Sequence, residues 1–377
     1  MYWIPKFHKN PLKFRFIVAS RLCATKSISE PLTCILKLFL RMHRAYCRTI
    51  KLIRNHNRMY IIDNSKPLLD ELNVVSCRGN AKSIGTFDFS TLYTSIPLDK
   101  LVSALDWVTR KAFKGTSLKY VKVSSGNANF VGSKTRSKTD VSSNCIILSE
   151  SEVKRCINFL VSNTFFTVGS STFRQKIGIP MGTDAAPYLA NLFLYSYEFS
   201  FLEKHNNNPV ICRKLSRCFR YIDDLLYVGD PNYFSSVASE IYPPELTLNR
   251  ENNFSDRATF LDLDINISNG RFVTKLYDKR SDFSFSIVNF PSKSSNIPTT
   301  IIHGVIISQV LRFCRACTNL YDFKLSCRQF FAKLRFNGFS DLVFRNAFAK
   351  SKPSFRQELS SKYKVNVANL LSGSDLF

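Results

Sequence analysis

The chain has 377 residues, of which 45% are hydrophobic, and it contains 33 Phe and 15 Tyr. This length and composition provide enough apolar surface for a folded core, which excludes wholesale disorder. Its 53 Lys and Arg exceed its 28 Asp and Glu by 25. Such an excess favours a polyanionic partner, with nucleic acid as the first candidate and an anionic membrane surface as the second. The start of the chain does not match a signal peptide, and no apolar run is long enough to span a bilayer, so we expect no membrane partner.

Residues 1–85 form a basic segment of mixed structure. FRFIVAS is predicted to be a strand that follows a turn at Asn10-Pro11. Apolar residues at helical spacing then predict a helix between Glu30 and Asn57, with Pro31 in its first turn.

The middle of the chain alternates strands and helices. KSIGTFDFSTLYTSIPLDKL predicts a strand, a turn and the start of a helix. Residues 114–144 are rich in Ser, Lys, Gly and Asn, contain a predicted hairpin in YVKVSSGNANFV, and are interpreted as a surface insertion. SESEVKRCINFLVSNTF predicts a helix, and TFFTVGSSTFRQKIGIP predicts two strands joined at residues 169–171.

A long helix is predicted next, in MGTDAAPYLANLFLYSYEFSFLEK, capped by Thr183 or Asp184 and with Pro187 in its first turn. RYIDDLLYVGD predicts a hairpin, and ATFLDLDINI and RFVTKLYDK are each predicted to be one strand. Roughly the last 90 residues have helical spacing. This order of elements predicts an α+β fold, with helices packed on one face of a mainly antiparallel sheet.

Three acidic residues stand in apolar surroundings. Asp223 and Asp224 lie at the tip of the predicted RYIDDLLYV hairpin, and Asp88 lies between phenylalanines in FDFSTLY. Buried charge is costly unless something pairs with it. If the three carboxylates meet at one end of a sheet, they would hold Mg²⁺, and two such ions about 4 Å apart can activate a hydroxyl and stabilise a leaving pyrophosphate. A plain Asp-Asp turn is the alternative explanation of the doublet.

The combination of motifs resembles reverse transcriptases. FDFSTLY resembles the first catalytic motif of that family, QKIGIPMG the second and RYIDD the third, and all three occur in the family's order. Over nearly the whole chain, segments such as PKFHKNPLKFRFI and KLYDKRSDFSFSIVNFP are similar to reverse transcriptases of Penelope-like retroelements.

The resemblance implies a right-hand polymerase architecture. Its fingers would occupy residues 1–85. The palm, an antiparallel sheet backed by helices, would occupy residues 86–280 and include the insertion at about 114–144. A helical, thumb-like region would follow at 281–377. Because the chain begins close to the fingers motif, we expect shortened fingers, and because it has no GIY…YIG pair, we expect a copy without its own endonuclease.

The resemblance also implies the roles of the acids and of one aromatic residue. Asp88, Asp223 and Asp224 match the catalytic acids, which hold two Mg²⁺ ions, with Mn²⁺ as a substitute. Tyr93 matches the steric gate that excludes a ribose 2′-hydroxyl. A half-buried strand residue is the alternative interpretation of Tyr93.

Further substrate contacts follow from the same resemblance. Gln175, Gly178 and Gly182 match the loop that supports the nascent base pair, where glycine lets the backbone approach nucleic acid, although a simple strand-to-helix turn would use the same glycines. Arg15 matches the fingers arginine that contacts the incoming triphosphate, but Phe16 follows it where many relatives have Pro.

Several other polar residues are assigned with alternatives. For three nearby lysines, phosphate contact and a solvated basic face are equally good interpretations: Lys6, Lys9 and Lys13. Lys279 is a candidate general acid for the pyrophosphate. Asp262 and Asp264 are predicted to share one face of a strand and are left outside the site. Most of the 11 cysteines are interpreted as reduced residues, and the CxxC pair at 314 and 317 lacks further ligands for zinc.

The predicted function is an RNA-directed DNA polymerase that extends a primer 3′-hydroxyl. Its partners would be an RNA template, a DNA primer and dNTPs, and a retroelement enzyme that primes on chromosomal DNA would work inside the cell, in the nucleus. The alternative is a decayed or co-opted copy that binds nucleic acid without catalysis, which the charge of +25 supports equally well. The oligomeric state is left open.

Overall fold

The computed structural model describes residues 2–7, 12–19, 23–135, 145–283, 285, 287, 289–298 and 300–364. Within these residues, helices combine with five separate antiparallel sheets, as the predicted α+β class requires. The chain divides into two compact units. The first comprises Met1–Asp63 and Gly85–Glu251, and the second comprises Asn64–Ile84 and Asn252–Phe377.

The strands are, in chain order, β1 (Tyr2–Lys6), β2 (Lys13–Ile17), β3 (Gly85–Ser90), β4 (Tyr120–Ser124), β5 (Asn127–Val131), β6 (Ile146–Ser149), β7 (Phe165–Val168), β8 (Ser171–Arg174), β9 (Cys218–Tyr221), β10 (Asp224–Tyr227), β11 (Thr247–Arg250), β12 (Arg257–Phe260), β13 (Leu263–Ser268) and β14 (Arg271–Leu276). The first unit holds β1 to β11, and the second holds β12 to β14.

The helices are α1 (Lys26–Arg54), α2 (Lys66–Cys77), α3 (Leu92–Ser95), α4 (Leu98–Lys114), α5 (Glu150–Ser162), α6 (Ala186–Lys204), α7 (Pro209–Leu215), α8 (Pro231–Ile241), α9 (Thr300–Ala316), α10 (Leu320–Phe336), α11 (Asp341–Ala349) and α12 (Pro353–Tyr363). A short 3-10 helix spans Lys279–Asp282. None of the helices among the described residues is both long enough and apolar enough to cross a bilayer.

The core of the first unit forms around α6. This helix is apolar on nearly all sides, and buried residues such as Leu192, Phe193 and Leu194 follow one another without a solvent-facing stripe, which is typical of a helix enclosed by other elements. Helices α1 and α4 both pack against α6. The principal sheet has the strand order β11-β3-β10-β9, and its core-facing Phe87, Phe89 and Leu225 belong to the same apolar cluster.

The second unit has its own core. Strands β12, β13 and β14 form a three-stranded sheet, and α2 packs on β14. Helices α10, α11 and α12 pack against α9, around buried aromatic residues that include Phe323, Phe331 and Phe344. Leu68, Leu72 and Val75 of α2 are buried at helical spacing, although the sequence analysis did not identify this helix.

The predicted starts of two helices were wrong. Helix α1 begins at Lys26, so Pro31 lies inside the helix rather than in its first turn. Helix α6 begins after an N-terminal cap at Ala185, so neither Thr183 nor Asp184 caps it. Pro187 does lie in the first turn of α6, where its missing N–H leaves no helical hydrogen bond unmade.

The prediction of one strand in ATFLDLDINI was also wrong. Strand β12 ends at Phe260, a two-residue turn follows at Leu261-Asp262, and β13 begins at Leu263. Leu261 has a φ of +55°, a left-handed conformation that aliphatic residues seldom adopt. Asp262 and Asp264 therefore lie on a turn and on a strand, not on one face of a single strand.

The predicted insertion is partly structural. Strands β4, β5 and β6 form a sheet, and Val121 and Ala128 are buried in the core of the first unit, where β5 packs against α1. The hairpin turn falls at Ser125-Gly126, as the sequence indicated. Residues 136–144 of this segment lie outside the described residues. The division into fingers, palm and thumb stays a prediction, because compact units need not coincide with these regions.

Candidate active site

The RYIDD segment forms the predicted hairpin. Strands β9 and β10 pair with Tyr221 opposite Asp224, which leaves Ile222 and Asp223 as a two-residue turn. Ile222 has a φ of +57°. A positive φ at the first turn residue suits the right-handed twist of a tight hairpin, and the turn places the two acids next to each other at its end.

The register of the sheet brings the first motif to the third. Asp88 of β3 is the direct cross-strand partner of Asp224 of β10. Beyond that pair, the backbone N–H of Phe89 donates a hydrogen bond to the carbonyl oxygen of Asp223 at 3.2 Å. Directly opposed residues of an antiparallel pair have their side chains on the same face and about 4.5–5.5 Å apart at Cβ. Two of the three predicted catalytic acids are therefore neighbours, and the third lies in the adjoining turn.

Four polar side chains form a row across this face of the sheet. Tyr221, Asp224, Asp88 and Asn249 are successive cross-strand partners on β9, β10, β3 and β11. The three predicted acids are half-buried, so they are neither exposed to bulk water nor enclosed in the core. Asn249 was not identified from the sequence, because β11 has no motif, and only the strand register shows its position beside Asp88.

Tyr93 lies close to this row. It belongs to α3, which follows β3 immediately, and its ring is half-buried. Burial, together with the Asp223 carboxylate, raises the pKa of the Tyr93 hydroxyl to about 12, and the charge of Arg15 opposes this shift. The hydroxyl group is therefore protonated at neutral pH. The same interactions show that two other predicted site residues, Asp223 and Arg15, act electrostatically on Tyr93.

The QKIGIPMG loop, residues 175–182, is held against α3. The backbone N–H of Gly178 donates to Ile96 O at 2.8 Å, and Ile179 donates to Tyr93 O. Gly178 has a φ of +83°, and a Cβ on it would lie 2.5 Å from Tyr93 O. A side chain at this position would therefore collide with the backbone that carries Tyr93, which explains the glycine.

The end of the same loop contacts the strand of Arg15. The N–H of Val18, the residue after β2, donates to Met181 O at 2.8 Å. Gly182 has a φ of +121°, and a Cβ there would lie 2.0 Å from Val18 O. The loop thus fills the space between β2 and α3, and both predicted glycines are required by close backbone contact.

Gln175 begins this loop. Its backbone N–H donates to Thr164 O at 2.9 Å, and its side-chain amide donates to Ile177 O at 3.0 Å. The side chain therefore stabilises the conformation of the loop itself. The sequence predicted a substrate contact for Gln175, and that role stays a prediction.

The basic residues on and next to strands β1 and β2 differ in their exposure, and the structure describes only some of their side chains. Arg15 is exposed on β2, where it pairs across the strands with Ile4. Lys6 is half-buried at the end of β1. Lys9 and the side chain of Lys13 lie outside the described part of the chain. Arg15 lowers the pKa of Tyr93, which the Asp223 carboxylate raises, so both charges lie within electrostatic range of that hydroxyl.

Beneath the acids, the core face of the sheet holds a buried ionic network that was not predicted. Arg220 and Glu198 are both fully buried, and Arg220 Nε donates to Glu198 Oε1 at 2.6 Å. Tyr242 Oη donates to the same carboxylate oxygen at 3.0 Å. The sequence did contain a signal, because Glu198 is an isolated acid in the apolar run FLYSYEFSF, and such a charge requires a buried partner.

The carboxylates provide the oxygen ligands that Mg²⁺ prefers. Among the described residues, no three His, Cys, Asp or Glu side chains gather closely enough to hold a metal ion. Mg²⁺ in enzymes of phosphate chemistry is held by one or two carboxylates, with substrate phosphates and water as the other ligands. The opposed pair Asp88 and Asp224 fits that smaller ligand set, with Asp223 next to it.

The other candidates lie in the second unit and have structural partners. Asp262 pairs with Arg312 at 2.8 Å, and Asp264 pairs with Lys275 at 3.3 Å. Lys279 is exposed at the start of the 3-10 helix, and its role as a general acid stays a prediction. The two cysteines of the CxxC pair, at 314 and 317, are free and buried in the core.

Comparisons with known proteins identify the fold. No protein-family model matches the chain, and no curated protein matches its sequence. Among solved structures, telomerase from Candida albicans in complex with a TWJ fragment of telomeric RNA superposes with a TM-score of 0.55 and 16% identity, over 91% of this chain and 54% of that chain. Apo telomerase from Candida tropicalis gives a TM-score of 0.47 and 13% identity, over 90% and 51% of the two chains.

The chain thus spans about half the length of the telomerase chains it matches. The superposition on the Candida albicans enzyme shows that it has a reverse-transcriptase-like fold, with helices and antiparallel sheets in a right-hand polymerase architecture. This confirms the predicted fold class.

Proposed function

We propose that the protein is an RNA-directed DNA polymerase of a Penelope-like retroelement. It would extend the 3′-hydroxyl of a DNA primer with dNTPs on an RNA template, in the nucleus. The observation that carries the proposal is the strand register, which pairs Asp88 with Asp224 and joins them to Asp223 through one tight turn. The reverse-transcriptase-like fold and the order of the three motifs support the same activity.

The three acids would bind the metal ions that the reaction needs. Asp88, Asp223 and Asp224 would hold two Mg²⁺ ions, or Mn²⁺ in their place, together with the phosphates of the dNTP. When bound, such ions lower the pKa of an attacking hydroxyl and neutralise charge on the leaving pyrophosphate. Neighbouring carboxylates would otherwise repel a polyanion, so this arrangement suits a site that works with cations.

Tyr93 would exclude ribonucleotides. Its ring lies within the electrostatic reach of Asp223 and Arg15, on the helix that follows the strand of Asp88. With a pKa of about 12 its hydroxyl is uncharged, so it does not repel the triphosphate. A rigid aromatic ring at this position would collide with a ribose 2′-hydroxyl and would accept a deoxyribose.

The loop and the first hairpin would hold the rest of the nucleotide. Gln175 to Gly182 pass between Tyr93 and Val18 with no room for a side chain at Gly178 or Gly182, which suits a backbone surface beneath a base pair. Arg15, which lowers the pKa of Tyr93, has the charge to contact the triphosphate. The net charge of +25 suits the RNA template and the DNA primer.

A primer-extension assay tests the proposal. Purified protein with a DNA primer annealed to an RNA template should incorporate dNTPs when Mg²⁺ is added, and the same primer on a DNA template measures template preference. Asp223→Asn should remove incorporation. Asp262→Asn is the matched control, because it makes the same substitution at the same position of a similar two-residue turn.

Three outcomes are informative. Incorporation that is lost only in Asp223→Asn supports the proposal. Incorporation that survives in Asp223→Asn contradicts the assignment of the acids. Salt-dependent binding of the primer–template without incorporation by the wild-type protein would instead favour the alternative, a decayed copy that only binds nucleic acid.

A further inference from the structure

The guanidinium group of Arg220 lies directly behind the acids, on the opposite face of the sheet. Arg220 pairs across the strands with Leu225, which faces the core, whereas the next residue, Tyr221, pairs with Asp224 on the open face. The side chain of Arg220 is fully buried. A buried arginine is costly unless its charge and its hydrogen-bond donors are all satisfied.

Every N–H donor of this guanidinium has an acceptor. Nε and Nη2 donate to the two carboxylate oxygens of Glu198, at 2.6 and 3.1 Å. Nη1 donates to Asn191 Oδ1 at 2.8 Å, and Nη2 also donates to the Asn191 carbonyl at 3.2 Å. The remaining bond, from Nη1, goes to the carbonyl oxygen of Ile222 at 3.0 Å. An arginine has five N–H donors, so the set is complete.

The bond to Ile222 reaches the catalytic turn itself. Ile222 has a φ of +57°, a conformation that is unfavourable for a β-branched residue, so the turn needs support from its surroundings. Its carbonyl group precedes Asp223. Fixing that carbonyl therefore fixes the peptide plane from which the Asp223 side chain is oriented.

The acceptors that hold Arg220 come from one helix. Asn191 and Glu198 are seven residues apart on α6, which places them about two turns apart on the same side. Helix α6 begins at Ala186, shortly after Gly182 ends the QKIGIPMG loop. Helix α6 thus connects the QKIGIPMG loop, through Arg220, to the turn that carries Asp223.

We propose that Arg220 is a positioning residue for the catalytic turn. Held by Glu198 and Asn191, it fixes the Ile222 carbonyl and so keeps the turn that carries Asp223 docked on β3, next to the pair Asp88 and Asp224. Its contribution is geometric, since it is buried on the far face and does not contact the substrate side. This inference rests on the proposed function for its kinetic consequence, but the turn geometry can be tested without activity.

The first test substitutes the donors and keeps the charge. Arg220→Lys retains a cation but has no planar fork of five donors. We expect kcat of single-nucleotide extension to fall by about 10- to 100-fold, while the KM for dNTP and the Kd for primer–template change by no more than roughly twofold. Arg44→Lys is the matched control, because Arg44 makes a two-point pair with Asp63 at the surface of the same unit.

A second variant separates positioning from stability. Tyr242→Phe removes one hydrogen bond from Glu198 and leaves all five bonds of Arg220 in place. Both variants should lower the thermal midpoint, but only Arg220→Lys should lower kcat. An equal loss of kcat in Tyr242→Phe, at an equal loss of stability, would overturn the inference. If Arg220→Lys fails to fold, Asn191→Ala takes its place, since it removes one acceptor of Nη1 and keeps the arginine.

Hydrogen exchange provides a readout that does not depend on polymerase activity. The Phe89 amide donates to Asp223 O, so its protection reports whether the turn is docked on β3. We expect this amide to exchange at least about tenfold faster in Arg220→Lys than in the wild-type or Arg44→Lys proteins. Unchanged exchange at Phe89 would refute the positioning role, whether or not the wild-type protein is active. An inactive wild-type protein, combined with faster exchange in Arg220→Lys, would refute only the polymerase proposal.

Discussion

Two hairpins of this protein share one turn geometry. The turn Ile222-Asp223 joins β9 to β10, and the turn Leu261-Asp262 joins β12 to β13. In both, an aliphatic residue with a positive φ, +57° in one and +55° in the other, precedes an aspartate. Neither turn contains the Gly or Asn that normally allows this conformation.

The surroundings of the two aspartates differ. Asp262 is neutralised by Arg312 at 2.8 Å. Asp223 forms no ion pair with any residue that the structure describes, and it acts instead on the hydroxyl of Tyr93. Within the described part of the chain, the same kind of turn therefore holds an ion-paired aspartate in the second hairpin and an aspartate without an ion pair in the first. The packing partners, rather than the turn, decide whether an acid is available for chemistry.

The largest expected effect comes from Asp88, the acid that β3 places opposite the first of these hairpins. Asp88→Asn should reduce dNTP incorporation by about 1,000-fold, because an amide cannot replace a metal-binding carboxylate. Asp264→Asn, which removes a partly exposed ion pair with Lys275, should leave the rate unchanged. Single-nucleotide extension measures both. A similar loss of incorporation rate in the two variants would contradict the distinction between the two hairpins, since it would mean that both serve the reaction.

The next-largest effect concerns the choice between deoxyribonucleotides and ribonucleotides, which we assign to Tyr93, near the β9–β10 hairpin. Tyr93→Ala should reduce the preference for dNTPs over rNTPs by about 100-fold, because a pocket relieved of a clash admits the 2′-hydroxyl. The measurement is the ratio of kcat/KM for dGTP and GTP on one primer–template. Tyr93→Phe is the control and should keep the preference, since it retains the ring. An unchanged ratio in Tyr93→Ala would rule out the gate.

The stability of the first unit should depend on pH. Burial lowers the pKa of His43 from 6.5 to about 4, while its Nε2–H donates to Val108 O and its Nδ1 accepts from Tyr195. The hydrogen bond to Val108 opposes this shift of the pKa, and the nearby charge of Lys111 contributes to it. Protonation therefore favours the unfolded state. The free energy of unfolding should fall as the pH drops from 6.5 towards 4, by up to ~1.4 kcal/mol per pH unit.

Denaturant unfolding at pH 7 and pH 5 measures this dependence. His43→Gln should lose that part of the pH dependence, because glutamine does not titrate. If the free energy of unfolding falls equally between pH 7 and pH 5 in wild type and variant, other groups, not His43, make the first unit sensitive to acid.

The smallest effect compares the stability of the two turns directly. Asp262→Asn should lower the free energy of unfolding by about 0.2–1 kcal/mol, the usual range for a partly exposed ion pair. Asp223→Asn should leave it unchanged or raise it slightly, since it relieves repulsion among neighbouring acids. Urea unfolding of both variants checks this. A clear loss of stability in Asp223→Asn would show that Asp223 is also a structural residue.

Sequence patterns predicted most of the elements that carry the site. The apolar runs on both sides of Asp223 and Asp224 indicated a hairpin, and the structure has one. Helical spacing predicted α4, α5 and α6, and a reciprocal cap between Ser149 and Glu152 explains why α5 begins where the acids are concentrated. These features depend on neighbours in the chain, which a sequence displays directly.

What the sequence did not reveal depends on contacts between distant residues. Leu261-Asp262 contains neither the Gly nor the Asn usual at a positive φ, so the second hairpin was taken for one strand. Asn249 lies next to Asp88 only because β11 pairs with β3, and no local pattern indicates that register. The bond from Arg220 to the turn likewise requires Glu198, twenty-two residues earlier, to be buried beneath it. The assigned roles of the site residues stay predictions until the assays above are done.

The tight contact at Gly182 limits how this protein can be redesigned. Any larger residue must push away Val18, and with it the neighbouring strand that carries Arg15. By contrast, Gly169 also has a positive φ, +59°, but nothing lies within 4 Å of its missing Cβ. In a selection for active clones from saturation libraries, position 182 should therefore return glycine alone, while position 169 should also accept Asn and Asp. Insertions or labels intended for this protein would be better placed at the β7–β8 turn than near the QKIGIPMG loop.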